Sequence, residues 1–416
     1  MGNKPLINYN IMIIVDVFIT PITNYILNHI VGIIKEGGDV QIVAAEINKE
    51  SDMHEIEKYR LFDKVLCHDT SSKVKILSGL TRSFWYALVN SRTRRNIFHL
   101  LKKVNMIKWY SMKSYVKALS SLYLIDPYSV NLAHSHSILK TYEYLFLKEA
   151  FGIPLITTFH GLPTKNISKL DNDKCKIVFE KGNLFFVNTL FAKKQIMKLG
   201  CAEEKVRILP QGTNINNFPK FNKSKIPERQ LNVVSLCRLS YDKGLNYLIE
   251  AIDHLKSDYP YMKYRMIGSG PEEQELRKLI KEKKLEDHVT MCGRLSFQQV
   301  IDQFANSDIF VLPSIRAEDE SFHEETQAVV IQEAQCMGIP VIATKVGGIP
   351  DCNIHRETAF LINDRDSLEI ADAITKLKED GELYKHLAVN GCRHVLHNFD
   401  AEIISKKIAQ EYLKLT

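Results

Sequence analysis

The sequence predicts an α/β protein built from two doubly wound, Rossmann-like domains that face each other across a cleft. Two observations lead there. The chain has 416 residues, which suits two domains of roughly 200 residues better than one core. Short apolar, β-branched runs also alternate with longer amphipathic ones, and that alternation restarts halfway along. In the first half, strands are expected at Ile11–Phe18, Val40–Ala44, Lys64–Cys67, Leu132–Ser135, Leu155–Phe159, Leu184–Val187 and Val206–Leu209. Helices are expected between them, among them Pro21–Lys35 and Leu190–Leu199. The second half begins again at Leu231–Cys237 and continues with strands at Lys263–Ile267, His288–Met291, Ile309–Leu312 and Val341–Ala343. Its helices are expected near Gly244–Lys256, Glu272–Lys284 and Phe297–Ala305, and one last helix near Asp400–Leu415.

Apolar strands separated by helices form parallel sheets covered on both faces. The expected boundaries are 1–218, 219–396 and a C-terminal helix, 397–416, packing back toward the first domain. The join falls in the polar stretch Asn214–Arg229, which carries Pro219 and Pro227. Doubly wound sheets bind ligands at the carboxyl ends of their strands, so the cleft between the domains is the expected site.

Composition excludes several classes. No apolar run approaches the ~20 residues that span a bilayer. Met1–Asn10 does not read as a signal peptide, and Asp16 interrupts the apolar run that follows. The eight cysteines, at 67, 175, 201, 237, 292, 336, 352 and 392, form no Cys-x-x-Cys pair. Zinc and a local disulfide framework are therefore not expected, and a cytoplasmic protein is. No full G-x-G-x-x-G fingerprint supports a nicotinamide dehydrogenase.

Three signals carry chemistry. Cys237-Arg238-Leu239-Ser240-Tyr241-Asp242-Lys243-Gly244 ends a strand and opens a helix. Two cations beside a helix N-terminus suit a diphosphate; taken alone, the segment is also a solvated loop with Asp242 as cap. Gly268-Ser269-Gly270-Pro271 lies at a second strand-to-helix turn, where glycine permits close backbone approach, and it also reads as a simple turn. The third is Glu325-Thr326-Gln327-Ala328-Val329-Val330-Ile331-Gln332-Glu333. In one continuous helix the two carboxylates would stand about 12 Å apart along the axis, too far to serve one group. They act together only if 325–328 is a loop and the helix starts near Val329, which brings Glu333 into the early helix beside free N–H groups. Otherwise they are two surface glutamates at a helix start.

Taken in order, Arg238…Lys243-Gly244, Gly268-x-Gly270-Pro271, Gly293-Arg294-Leu295, Glu325-x7-Glu333, Gly338-x-Pro340-Val341-Ile342-Ala343 and Gly347-Gly348-Ile349-Pro350 resemble the family-4 retaining glycosyltransferases of GT-B fold. Thr158-Phe159-His160-Gly161 is similar to that family's acceptor-side His-Gly. Phe18-Ile19-Thr20-Pro21…Tyr25-Ile26-Leu27-Asn28-His29-Ile30 resembles the opening of bacterial exopolysaccharide transferases of the colanic-acid type.

The resemblance implies an acceptor-binding first domain and a nucleotide-sugar-binding second one. It implies that Arg238 and Lys243 hold the donor diphosphate, Glu333 the ribose and Glu325 the donor sugar. The backbone near Gly268, Gly270, Arg294 and Leu295 would meet the rest of the nucleotide, and Thr326, Gln327, Ala328 and Val329 would line the phosphate. His160 would sit near the sugar and the acceptor hydroxyl. It also implies retention of anomeric configuration, a UDP- or GDP-sugar donor, and no metal or other cofactor.

The chain departs from the family at Thr326-Gln327-Ala328, where relatives carry Gly-Phe-Gly or similar, and at Ile22-Thr23-Asn24, where they carry Ser-Glu-Thr. The alternatives are a nucleotide-sugar epimerase or hydrolase on the same fold and a non-catalytic nucleotide-sugar-binding protein. Arg316-Ala317-Glu318-Asp319-Glu320 is expected as a cleft-side loop, and Asp364-Arg365-Asp366 as a loop entering a helix cap rather than a metal site. His134 and His136 flank Ser135 at a strand end, as structural residues or as cleft residues.

One stretch stands apart. Net charge is +6, yet from Thr70 to Ile125 the chain has no acidic residue and eleven Lys and Arg, Arg82, Arg92, Arg94, Arg95, Lys102 and Lys103 among them. Trp85 and Trp109 lie there too. Lys73–Lys117 suits an anionic membrane surface displaying a lipid-linked oligosaccharide, at the inner face of the plasma membrane, or a solvated helical face packed by its aromatic side. No recognition motif accompanies the charge, so nucleic acid is not an expected partner.

Overall fold

The computed structural model describes residues 5–18, 24–48, 54–161, 169–219, 230–316 and 324–416. The expectations for Ile19–Thr23, for most of the 214–229 join and for Ala317–Glu320 lie outside them. Seven strands form the first sheet: β1 (Asn10–Phe18), β2 (Asp39–Ile47), β3 (Val65–Cys67), β4 (Leu132–Ser135), β5 (Leu155–Phe159), β6 (Leu184–Val187) and β7 (Val206–Ile208). Their order is β3-β2-β1-β4-β5-β6-β7, parallel throughout. Six form the second: β8 (Leu231–Leu236), β9 (Met262–Ile267), β10 (Val289–Gly293), β11 (Ile309–Leu312), β12 (Val341–Thr344) and β13 (Phe360–Ile362), in the order β10-β9-β8-β11-β12-β13, again parallel. Only β13 was not expected. Pairing with β12 makes its three residues a strand.

Each sheet reverses its order once, between β1 and β4 and between β8 and β11. Those switch points open crevices at the carboxyl ends of the strands. Strands such as β4, β5 and β6 are buried along their whole length, so both faces are covered.

The helix Ala401–Leu413 covers the first sheet although it follows the second in sequence. Its Ile404, Ile408, Ala409 and Tyr412 join the core formed by β1, β2 and the helix Asn24–Lys35. Arg207 and Glu411, 3.3 Å apart, pin its end. The chain therefore crosses between domains twice, and the crossings touch: Thr213 N–H donates to Phe399 O at 2.8 Å and Ala401 N–H to Thr213 O at 3.0 Å. Phe218, close to the first crossing, already packs in the second domain, edge-on to Phe297.

The basic stretch folds as the helices Lys73–Val89, Ser91–Leu101 and Met112–Ser121. Asn90 breaks the first two apart. Its backbone N–H caps the carbonyl of Tyr86, while its side chain accepts from Arg92 N and Thr93 N. Among the described residues, no helix is long and apolar enough to cross a membrane.

Candidate active site between the domains

The donor-side loops are stacked by glycine. A Cβ on Gly268 would lie 1.9 Å from Cys237 O and one on Gly270 2.2 Å from Leu239 O, so the loops after β8 and β9 touch only because neither residue has a side chain. The loop Gly268–Gly270 is a structural brace for the strand that carries Arg238. Arg294 Nε donates to Ser269 Oγ at 2.7 Å, so that side chain is held by the same brace. Leu295 is half-buried beside it.

The helix after β11 starts at Val329, leaving Glu325–Ala328 as an irregular segment. Gly347 seats this segment from below. It adopts φ 57°, and a Cβ there would meet Glu325 O at 2.1 Å. Gly348 N–H then donates to Glu325 O at 2.8 Å. Ala328 caps the helix in the left-handed region, φ 59° and ψ 62°. A glycine fits that conformation without penalty, whereas alanine pays about 1–2 kcal/mol.

Lys243 and Glu325, given separate roles by the sequence, meet. Lys243 Nζ lies 2.6 Å from Glu325 Oε1 and 3.1 Å from Asp242 Oδ2, and Ser314 Oγ donates to the same Glu325 oxygen at 3.3 Å. Burial pulls the Lys243 pKa down, but the two carboxylates outweigh it and hold the ammonium well above its usual range. Asp242, although burial opposes ionisation, is held below the usual carboxylate range by Lys243 and Ser240. Arg238 is exposed just past the end of β8, and its guanidinium makes no ion pair or hydrogen bond among the described residues.

Glu333 stands in the first turns of the helix Val329–Cys336. Burial pushes its pKa up to about 7, and no neighbouring charge counts among the causes. Among the described residues its side chain has no hydrogen-bond partner.

The first domain closes on this loop from the other side. Thr189 Oγ1, the cap of the helix Leu190–Lys198, donates to Thr326 O at 2.8 Å. Thr326 Oγ1 donates to His160 O at 3.4 Å. Gln327, 1% exposed, accepts from Gln211 N at 2.7 Å and donates to Gln211 O at 2.9 Å, like one strand pairing with another. His160 therefore lies against the donor loop. Its Nε2 is 3.0 Å from His136 Nδ1 and its Nδ1 3.0 Å from Gln211 Nε2. Burial holds its pKa down at about 3.

The two readings of His134 and His136 divide. His134 is fully buried between Thr158 and Tyr412, while His136 reaches His160. Asp366 caps the helix Ser367–Glu379, as expected. Thr189, Gln211, His29 and Tyr412 were not singled out as cleft residues. Thr189 carries a local signal as a helix cap, whereas His29 and Tyr412 come together from 383 positions apart.

Two Rossmann-like domains facing each other across a cleft are the architecture of the GT-B fold. The chain belongs to family 4: residues 22–217 match Glycosyltransferase Family 4, and residues 216–394 match Glycosyl transferases group 1. It is similar to the colanic acid biosynthesis glycosyltransferase WcaL of Salmonella typhimurium, 26% identical over 92% of this chain and 95% of that one. Against WcaL of Escherichia coli K12 it is 29% identical, over 61% of this chain and 63% of the relative, less than two thirds of that protein's length. The amylovoran biosynthesis glycosyltransferase AmsK of Erwinia amylovora is 24% identical over 85% of this chain and 87% of its own. HepE of Anabaena, solved in complex with UDP, shares the fold with a TM-score of 0.71 at 17% identity, covering 97% of this chain and 100% of HepE. Sucrose-phosphate synthase of Thermosynechococcus elongatus shares it with a TM-score of 0.68 at 19% identity, over 98% of this chain and 99% of its own.

Proposed function

We propose that the protein transfers a sugar, with retention, from a UDP- or GDP-sugar to a lipid-linked glycan in surface polysaccharide synthesis, without a metal. The observation that carries this reading is the meeting of Lys243 and Glu325, with His160 of the first domain bonded to the adjacent Thr326. Relatives named for colanic acid and amylovoran synthesis support the pathway class, and a UDP complex of the fold supports the donor class.

In this reading Glu333 accepts hydrogen bonds from the ribose diol. Arg238 is the free cation for the diphosphate. The Lys243 charge is already matched by Glu325 and Asp242, so Lys243 meets the leaving phosphate by sharing its ammonium, which frees the Glu325 carboxylate for the donor sugar. The N–H groups of Ala328 and Val329 at the helix start face the developing negative charge. The anomeric carbon–oxygen bond breaks with its electron pair passing to the diphosphate. The acceptor oxygen attacks from the same face, and its proton passes to the departing diphosphate. His160 does not serve as base: both ring nitrogens are engaged and its basicity is low. It shapes the acceptor side instead.

The acceptor is displayed at an anionic membrane, the inner leaflet of the plasma membrane. Trp85, Leu88 and Phe98 are 61%, 75% and 62% exposed on the helices Lys73–Val89 and Ser91–Leu101, beside Lys102 and Lys103. Their apolar sides do not pack inward, which favours an interfacial layer over a solvated face. Arg94 contributes less, since its guanidinium is spent on Ala87 O and Leu88 O, and Arg92 and Arg95 lie near Asp126.

A panel of UDP-, GDP- and ADP-sugars scored by thermal shift tests the donor class, with stabilisation of about 2.7 kcal/mol expected at 100 times Kd. Glu333→Ala weakens donor binding and Lys243→Ala mainly slows transfer; unchanged kinetics in either variant contradict the assignment. Co-sedimentation with anionic vesicles tests the surface. Equal recovery of wild type and a Trp85→Ala, Phe98→Ala, Lys102→Ala, Lys103→Ala variant sinks it.

A further inference from the structure

Four histidines and a tyrosine form an unbroken hydrogen-bonded chain from the cleft into the core of the first domain. From the cleft it runs Gln211 Nε2 to His160 Nδ1 at 3.0 Å, His160 Nε2 to His136 Nδ1 at 3.0 Å, and His136 Nε2 to His29 Nδ1 at 2.9 Å. It continues from His29 Nε2 to Tyr412 OH at 2.8 Å, Tyr412 OH to His134 Nδ1 at 2.5 Å, and His134 Nε2 to Thr158 Oγ1 at 2.7 Å. Burial holds the pKa of His29 and His160 at about 3, and those of His134 and His136 well below the ordinary value, so all four rings are neutral.

A neutral imidazole has one donor and one acceptor nitrogen. Every ring here uses both, so the direction of the hydrogen bond at Gln211 fixes those of His160, His136 and His29 as far as Tyr412. The amide nitrogen of Gln211 has no lone pair to offer and can only donate. His160 Nδ1 must then accept, His160 Nε2–H must donate to His136, and so on to the Tyr412 hydroxyl, whose oxygen can accept from both of its histidine neighbours. His160, His136 and His29 are therefore Nε2–H. Turning the direction at Gln211 would convert these three to Nδ1–H together, because no link between them permits a mixed state.

The same residue also grips the donor loop. The main-chain N–H and C=O of Gln211 pair with the Gln327 side chain, which donates as well to Gln332 Oε1 at 3.0 Å. Gln327 stands two residues from Glu325. One residue therefore meets the acceptor-side histidine with its side chain and the donor loop with its backbone.

We infer that Gln211 is a positioning residue for the transfer reaction: its amide sets the tautomer and orientation of His160 while its main chain docks the Glu325 loop across the cleft. The inference rests on the reading of the cleft given above, for the roles of His160 and Glu325.

The two contacts can be cut separately. Gln211→Met keeps the backbone clasp and loses the ring contact. Gln327→Met keeps the ring contact and loses the clasp. Nitrogen-15 spectra of the histidine rings in the full-length protein are expected to show Nε2–H tautomers at His160, His136 and His29 in wild type. Gln211→Glu, whose carboxylate can only accept, is expected to convert them to Nδ1–H. Gln211→Met is expected to lower kcat about tenfold, corresponding to the loss of one hydrogen bond that orients a reacting-site group, with donor KM unchanged because Arg238, Lys243 and Glu333 are untouched. Gln327→Met is expected to raise donor KM. Mixed tautomers among His160, His136 and His29 of wild type, or wild-type kcat in Gln211→Met, overturns the inference. Absence of any sugar transfer or donor binding by wild type overturns the underlying reading instead.

Discussion

Raising the pH from 6 to 8 should tighten donor binding about tenfold, and Glu333 is the reason. Its carboxyl is held at about 7 by burial alone. A ribose diol donates hydrogen bonds, so the ionised form is the one that binds. With a pKa of about 7, about one carboxyl in eleven is ionised at pH 6 and about ten in eleven at pH 8. The ratio is about tenfold in Kd, or ~1.4 kcal/mol. Intact UDP- or GDP-sugar is the right ligand, because its diphosphate is esterified at both ends and lacks the terminal ionisation near pH 6 that free nucleotide has. Titration calorimetry at pH 6, 7 and 8 measures Kd, and buffers of differing ionisation enthalpy measure the proton released on binding at pH 6. Glu333→Gln should bind more weakly and flatten the profile. A wild-type Kd independent of pH, or the same slope in Glu333→Gln, refutes the reasoning. The linked stability has the opposite sense. The folded pKa is raised above the unfolded one, so this contribution is fully present below the ordinary value of 4.5 and is lost as pH rises through about 7 in the ligand-free protein.

Other outcomes follow from the same geometry. Ala328→Gly should raise stability by about 0.5 kcal/mol, the relief of a left-handed alanine less the extra freedom of the unfolded chain, seen as a melting rise of ~1–2 °C; a lower melting temperature contradicts it. Glu325→Gln should cost about 1–3 kcal/mol in denaturant unfolding, below the ~3–5 kcal/mol of a fully orphaned buried charge, because Asp242 still pairs with Lys243; no change in midpoint would rule out the ion pair as a structural element. Tyr412→Phe removes the hydroxyl between His29 and His134 and should cost about 1–3 kcal/mol, with unaltered unfolding counting against the buried chain.

Much of the fold was legible in local pattern. Parallel strands buried on both faces are short apolar runs, so β4, β5, β6 and β11 appear in the sequence at the ends the structure gives them. Glycine motifs likewise announced where loops must touch: Gly268 and Gly347 brace neighbouring backbone. The family motifs located Arg238, Lys243, Glu325, Glu333 and His160 in order along the chain. Order does not carry contact. That Lys243 is matched by Glu325 depends on the switch point between β8 and β11, which brings residues 82 positions apart into ion-pair distance. That His160 is locked by His136, His29 and Tyr412 depends on the last helix returning to the first domain. A periodic pattern records what each element buries. Which polar atoms then find one another is decided by how the elements pack, because neutral imidazoles and amides acquire a direction only from the partner placed against them.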